Sequence, residues 1–337
     1  MRALRRARLR LPTLVVAATA LAVLASAASA AARPVQSHSM IHVCCTPDAE
    51  QERLVAAASA SGASVVRLDV EVHGIVQLSP DGYTYDFTKL DQVIALGRRY
   101  GIRILGVLSG TPAGMTACPP GTPFEVSWRC PPADPDEYAR HVVAIMQHAG
   151  KGVLVWEFWN EPDLSYMYVG SPEAYGQTLG AVYSRSAGRF RITIGGVSDV
   201  RGGLAFLQRA IDAGARFDIG NIHLRGTRLR AQANRASLFF GDRPVWVTEH
   251  GYPSHPDPQA QARHLLRSIP ALRRGGADQV FVTLRDIDEF GQDSPFASEG
   301  ILGKPAWDLI VAANRQAHSL RSSRRPARAP RPPKAPR

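Results

Sequence analysis

Residues 153–163 read VLVWEFWNEPD, a run of branched and aromatic side chains that ends on Asn160, Glu161 and Pro162. A strand this apolar on both faces belongs in a parallel sheet covered by helices. Two carboxylates interrupt it: Glu157 in mid-run and Glu161 at the exit. Residues 244–253, PVWVTEHGYP, repeat the pattern, with Glu249 at the exit and Gly251 allowing a sharp departure. A fold that gathers strand ends around one mouth would bring the two glutamates together.

Working outward, further apolar, β-branched runs occupy residues 40–43, 64–70, 102–108, 191–197, 218–223 and 279–284. Amphipathic stretches separate them at 49–61, 87–100, 135–149, 172–187, 204–213 and 259–273, with a last one at 305–317. Only 231–240 is weakly periodic. Eight strands, each followed by a helix, predict an α/β fold, a single-domain (β/α)8 TIM barrel over residues 36–317. The competing arrangement is a doubly wound open sheet, but no glycine-rich phosphate-binding turn follows the first strand.

The chain carries a formal charge of +11, which suggests a nucleic-acid binder until the charge is located. Thirteen basic residues lie in the two ends: Arg2, Arg5, Arg6, Arg8, Arg10 and Arg33, then Arg321, Arg324, Arg325, Arg328, Arg331, Lys334 and Arg337. Without those thirteen, 40 Lys and Arg become 27, against 29 Asp and Glu. The body is nearly neutral, so no nucleic-acid partner is expected.

Residues 1–32 have a basic start, an apolar stretch and an alanine-rich exit, which reads as a signal peptide; an uncleaved anchor is the alternative. A secreted protein, extracellular or associated with the cell envelope, is the expectation. Export makes Cys44, Cys45, Cys118 and Cys130 disulfide candidates. Cys118 and Cys130 bracket one loop and can pair easily, a vicinal bridge between the adjacent Cys44 and Cys45 is rare in proteins, and two cross-bridges between the pairs would also work. Residues 318–337 are basic and proline-rich, and predict a disordered tail able to contact an anionic cell envelope.

In a barrel, chemistry collects at the C-terminal ends of the strands. Those ends offer Arg67 and Asp69, Asn160 and Glu161, His223 and Arg225, Glu249 and His250, and Arg285. Strand ends four and seven lie across the mouth from each other. Pro162 disfavours the α region for Glu161 and is expected to hold it extended. Paired carboxylates of this kind suit glycoside cleavage, in which one is protonated to assist the leaving oxygen and the other attacks. Arg67 is the natural cation for Glu249, with Asp69 bracing it. Glu157 is expected to be a buried structural carboxylate.

The segments WNEPD (159–163), TEHG (248–251) and VRLDV (66–70) resemble clan A glycoside hydrolases of the family 39 and family 5 branches. DGYTYDF (81–87), TP (111–112) and KPAW (304–307) extend the likeness over roughly residues 40–315. The resemblance implies a retaining O-glycosyl hydrolase acting on oligo- or polysaccharide, with Glu161 as acid/base and Glu249 as nucleophile. It implies Asn160 at the sugar 2-hydroxyl and Arg67 at the nucleophile, and no cofactor or metal. His223, Tyr252, His73, Trp159 and Arg285 are further substrate-binding candidates, with Trp128 and His250 behind them.

This chain departs from that pattern at three places. His223-Leu224-Arg225 stands where the clan often has His-x-Tyr. Ala113-Gly114-Met115 stands where a tryptophan is common, and FVTLRDID replaces an eighth-strand tryptophan. Arg225 and Arg285 suggest an acidic sugar, and the thinner aromatic lining admits a second reading, a carbohydrate-binding barrel with weakened or lost catalysis. A monomer is expected in either case.

Overall fold

The computed structural model describes residues 33–287, 294 and 296–323. The signal-peptide segment lies outside the described residues, as does the chain beyond 323.

Eight parallel strands form the core: β1 (Gln36–His42), β2 (Val65–Glu71), β3 (Arg103–Ser109), β4 (Val153–Asn160), β5 (Ile192–Gly196), β6 (Gly220–His223), β7 (Val245–His250) and β8 (Ala277–Thr283). They are hydrogen-bonded in the order β5-β4-β3-β2-β1-β8-β7-β6. Parallel bridges Thr193↔Ile219 and Val197↔Ile222 join β5 to β6 and close the ring. All eight expected strands are present, and the fold is a (β/α)8 barrel.

The outer ring is α1 (Asp48–Ala60), α2 (Thr88–Arg99), α3 (Pro135–Ala149), α4 (Pro172–Ser186), α5 (Gly202–Asp212), α6 (Leu229–Phe240), α7 (Pro258–Arg274) and α8 (Pro305–Ser323). Three of them begin the same way, with a capping acceptor followed by proline. Asp134, Ser171 and Asp257 accept main-chain N–H groups of the first turns of α3, α4 and α7, and Pro135, Pro172 and Pro258 occupy the opening positions. The weakly periodic 231–240 segment is helical as α6, buried through Leu229, Ala233, Ala236 and Phe240. Among the described residues no helix is long and apolar enough to cross a membrane.

Two details differ from the sequence expectation. An antiparallel hairpin, Val76–Ser79 with Gly82–Tyr85, precedes α2. In addition, α8 runs on to Ser323, so the tail does not begin at 318. The apolar periodicity fades after Ala317, but the main chain stays helical and His318 Nε2 sits 2.8 Å from the Gly62 carbonyl.

The strands alternate in facing. On β2, Val66, Leu68 and Val70 pack outward in the main core, while Val65 belongs to a second cluster with Leu105, Val107, Val155, Ile219, Trp246 and Phe281. That cluster is the apolar floor of the lumen. Arg67, two residues beyond Val65, points the same way and lies one layer higher. The lumen therefore changes from apolar to charged along its axis, and the charged layer supports the mouth.

Candidate active site

The charged layer is organised by Arg67, whose side chain is 0% exposed. Its Nε and Nη2 donate to the two oxygens of Glu157, both at 2.9 Å. Nη1 donates to Glu249 Oε1 at 2.8 Å and lies 3.0 Å from His38 Nε2, and Nη2 reaches Asn160 Oδ1 at 2.7 Å. Burial opposes the charge on Arg67, but Glu157 and Glu249 more than offset that and raise its pKa. A planar fork with fixed donors suits this role, because one side chain orients three acceptors from β4 and β7. Glu157 is the structural carboxylate expected. Asp69, expected to brace the arginine, makes no side-chain hydrogen bond with any described residue and acts on Arg67 through its charge alone; Arg67's donors go to Glu157, Glu249, Asn160 and His38.

Glu249 is held from both sides. Arg67 takes Oε1, and Arg225 Nη2 donates to Oε2 at 2.8 Å. Burial pushes the Glu249 pKa up, but His223, His38, Arg67 and Arg225 outweigh it and hold the carboxyl well below the usual range. His38 is itself kept neutral by burial, so the permanent charges are the two guanidiniums. Arg225 is fixed by Glu299, whose oxygens accept its Nε at 3.0 and 2.9 Å. Arg225 is thus engaged with Glu299 and Glu249 and also lies 3.9 Å from Glu161 Oε1, so its link to an acidic sugar loses its basis.

Glu161 follows β4. The expected extended conformation is not found: its φ is +41°, and that of Trp159 is +68°. The Glu161 N–H bonds the Gly196 carbonyl on β5 at 3.0 Å, and its own carbonyl accepts from Leu164, so the chain turns at once. Proline excludes the right-handed helical region for the preceding residue, and these two hydrogen bonds select the left-handed one.

Glu161 Oε1 lies 2.8 Å from His223 Nδ1, and His223 Nε2 lies 3.1 Å from Thr248 Oγ1. Thr248 Oγ1 is 2.9 Å from the acceptor Asn221 Oδ1, so its hydrogen goes there and His223 Nε2 carries the donor. Nδ1 is left to share one proton with Glu161. Gly196 makes room for this ring, because a Cβ there would meet His223 Nε2 at 2.2 Å.

One ligand-type atom each from Glu161, His223 and Glu249 lies within 4.8 Å of the others. A metal would compete with both guanidiniums for Glu249, which makes the cluster a poor cation site. One oxygen of Glu161 and one of Glu249 lie no more than 4.8 Å apart, which suits the short spacing of retaining glycosidases (roughly 5–5.5 Å) better than the wider one of inverting enzymes (roughly 6.5–9.5 Å).

Two cavities meet at this pair. One, of about 440 Å3, extends from Glu249 and Asn160 over His38, Asp69, His73, Trp128, Trp159 and Arg285. The other, of about 370 Å3, holds Glu161, Tyr166, Arg225 and Phe296. The disulfides are Cys44–Cys45 and Cys118–Cys130. The second closes the loop that carries Trp128, which packs on His73 with ring centroids 5.4 Å apart. An aromatic group therefore reaches the cavity from that loop, while Met115 is buried away from it.

Of the remaining candidates, Trp159 lines the larger cavity but is nearly buried, its indole N–H held by the Met167 carbonyl. Arg285 lines the same cavity and donates to the Asp286 and Met40 carbonyls. Tyr252 does not join them. It stacks on His264 at 4.1 Å in a separate surface groove of about 930 Å3 beside Arg263 and Arg267. Gly251 packs against Glu299, and the chain leaves the mouth there. His250 is structural: it is buried between the Leu224 carbonyl and Ser268 Oγ, and burial lowers its pKa to about 4. Sequence reading missed His38 and Glu299. His38 was legible only as a polar residue in an apolar strand, and nothing local marks Glu299.

No family model matches the sequence, and no curated protein matches it. Solved structures do resemble the fold. A family 39 β-xylosidase from Caulobacter crescentus superposes with a TM-score of 0.66 at 18% identity, over 84% of this chain and 71% of that one. A family 39 glycoside hydrolase from the gut symbiont Bacteroides cellulosilyticus WH2 gives 0.65 at 19%, over 85% and 64%. An exo-β-1,4-mannosidase from Opitutaceae bacterium strain TAV5 gives 0.61 at 16%, over 86% and 60%. The chain spans less than two thirds of the length of the last two. At these identities the likeness is one of fold.

Proposed function

We propose that this chain is a retaining glycoside hydrolase that cleaves O-glycosidic bonds by double displacement. The observation that carries the proposal is the pair at the ends of β4 and β7, with Glu161, His223 and Glu249 atoms within 4.8 Å. Glu161, sharing a proton with His223, donates it to the departing glycosidic oxygen. Glu249, kept ionised by Arg67 and Arg225, attacks the anomeric carbon to give a glycosyl-enzyme. Glu161 then takes a proton from water, which attacks the same carbon and restores the carboxylate. Asn160, oriented by Arg67, faces the reacting sugar. The fold neighbours named as xylosidase and mannosidase point to a carbohydrate substrate. We further propose that the protein is secreted after loss of residues 1–32 and works as a monomer; one similar structure is described as a monomeric β-xylosidase.

One observation favours the alternative, a binding barrel with weakened catalysis. Arg67 occupies Glu249 Oε1 and Arg225 occupies Oε2, so one of the two guanidiniums must yield its oxygen for attack to occur. A mechanism-based label separates the readings. Incubation with 2-deoxy-2-fluoro-glycosyl fluorides, followed by peptide mapping, should place one glycosyl group on Glu249. A label on another carboxylate would refute the assignment.

A further inference from the structure

One wall of the larger cavity carries polar side chains that have no hydrogen-bond partner among the described residues. Asp69 and Ser109 are each 7% exposed and both line the cavity. They stand on adjacent strands, where Asp69 pairs in register with Val107 and Glu71 with Ser109. Neither side chain hydrogen-bonds a described residue. Glu71, on the same face, differs: Oε1 lies 2.9 Å from His42 Nδ1, and Oε2 accepts the Cys44 N–H at 3.2 Å.

Beside them the Cys44–Cys45 disulfide forms part of the same wall. The turn carrying it is closed by the Cys45 and Thr46 N–H groups on the His42 carbonyl, at 3.1 and 2.8 Å. The wall thus combines a two-oxygen acceptor, a hydroxyl and a polarisable apolar patch with no donor or acceptor of its own strength. A buried carboxylate without a hydrogen-bond donor costs free energy even with the charges of His42 and Arg67 near it, and such a group is retained where a ligand supplies the missing donors.

A sugar ring matches this chemistry. Adjacent hydroxyls on its edge can donate to both oxygens of one carboxylate, while its C–H face covers an apolar surface. A uronic acid would instead bring its negative charge against Asp69, while Glu71 beside it is already paired with a protonated His42.

We propose that Asp69 and Ser109, flanked by the Cys44–Cys45 disulfide, are the recognition wall for an uncharged sugar ring with two adjacent free hydroxyls, and that they discriminate against uronic acids. This rests on reading the cavity as a sugar site but requires no turnover.

The test is binding of phenyl 1-thio-β-D-glycosides, which resist hydrolysis, to the full chain by calorimetry. The set comprises xylose, glucose, mannose, galactose and glucuronic acid. At least one neutral glycoside should bind ten-fold or more tightly than the glucuronide. Asp69→Asn should weaken that glycoside at least ten-fold, and Ser109→Ala several-fold, with melting temperatures reporting that both variants fold. A glucuronide bound as tightly as every neutral glycoside, neutral binding unchanged in Asp69→Asn, or no neutral binding at all would overturn the proposal. Binding as described in a protein that the fluorosugar fails to label would instead refute only the catalytic reading.

Discussion

Replacing Arg67 with methionine should damage the fold as much as the site. Methionine roughly fills the space but removes every donor from a side chain that reaches Glu157, Glu249 and Asn160. Glu157 is left fully buried without its cation, and Glu249 keeps only Arg225. Removing one partner of a buried ion pair costs about 3–5 kcal/mol, because the remaining charge has no compensation. For a domain of this size each kcal/mol moves Tm by roughly 2–4 °C, so the expected fall is roughly 6–20 °C. Adding Glu157→Gln should recover part of the loss, since a neutral amide is less costly to bury unpaired. Thermal denaturation of wild type, both single variants and the double variant at pH 7 measures the coupling. A Tm for Arg67→Met within about 2 °C of wild type, or a double variant that falls by the sum of the singles, would refute this account of the hub.

Two further predictions concern charge. Arg225→Met removes one of the cations that keep Glu249 ionised, so the acidic limb of kcat/KM should move up in pH, read with an activated aryl glycoside. An unmoved limb would mean that Arg225 does not tune Glu249. Burial raises the Asp69 pKa from 3.8 to about 6, so the folded protein holds its proton more tightly than the unfolded chain does. That stabilisation is present below pH 3.8 and is lost as pH rises towards 6. Asp69→Asn should therefore raise Tm at pH 7, by an amount equivalent to about 1–3 kcal/mol, and have little effect at pH 4; equal shifts at both pH values would contradict the assignment.

Much of the fold was legible because buried parallel strands read as near-continuous apolar runs. The same contrast exposed Arg67, Glu157 and Glu249, since a charge inside such a run has to meet a partner across the barrel. Reading failed where the outcome depended on contacts distant in sequence. Tyr252 lies three residues after Glu249, yet it stacks on His264 of α7 in a separate groove away from the mouth. The conformation of Glu161 was misjudged because its N–H bonds Gly196 on the next strand, which a local proline rule does not include. The hairpin at 76–85 is short and half-exposed, and carries no strong alternation.

The central claim is the division of labour between the two glutamates. The most direct measurement is azide rescue of alanine variants on an aryl glycoside with a good leaving group. Glu161→Ala, which keeps the nucleophile, should regain turnover with azide and release a glycosyl azide of retained configuration. Glu249→Ala should stay inactive or, if rescued, give the inverted azide. Hydrolysis near the wild-type rate by both variants, or a retained azide from Glu249→Ala, would contradict it.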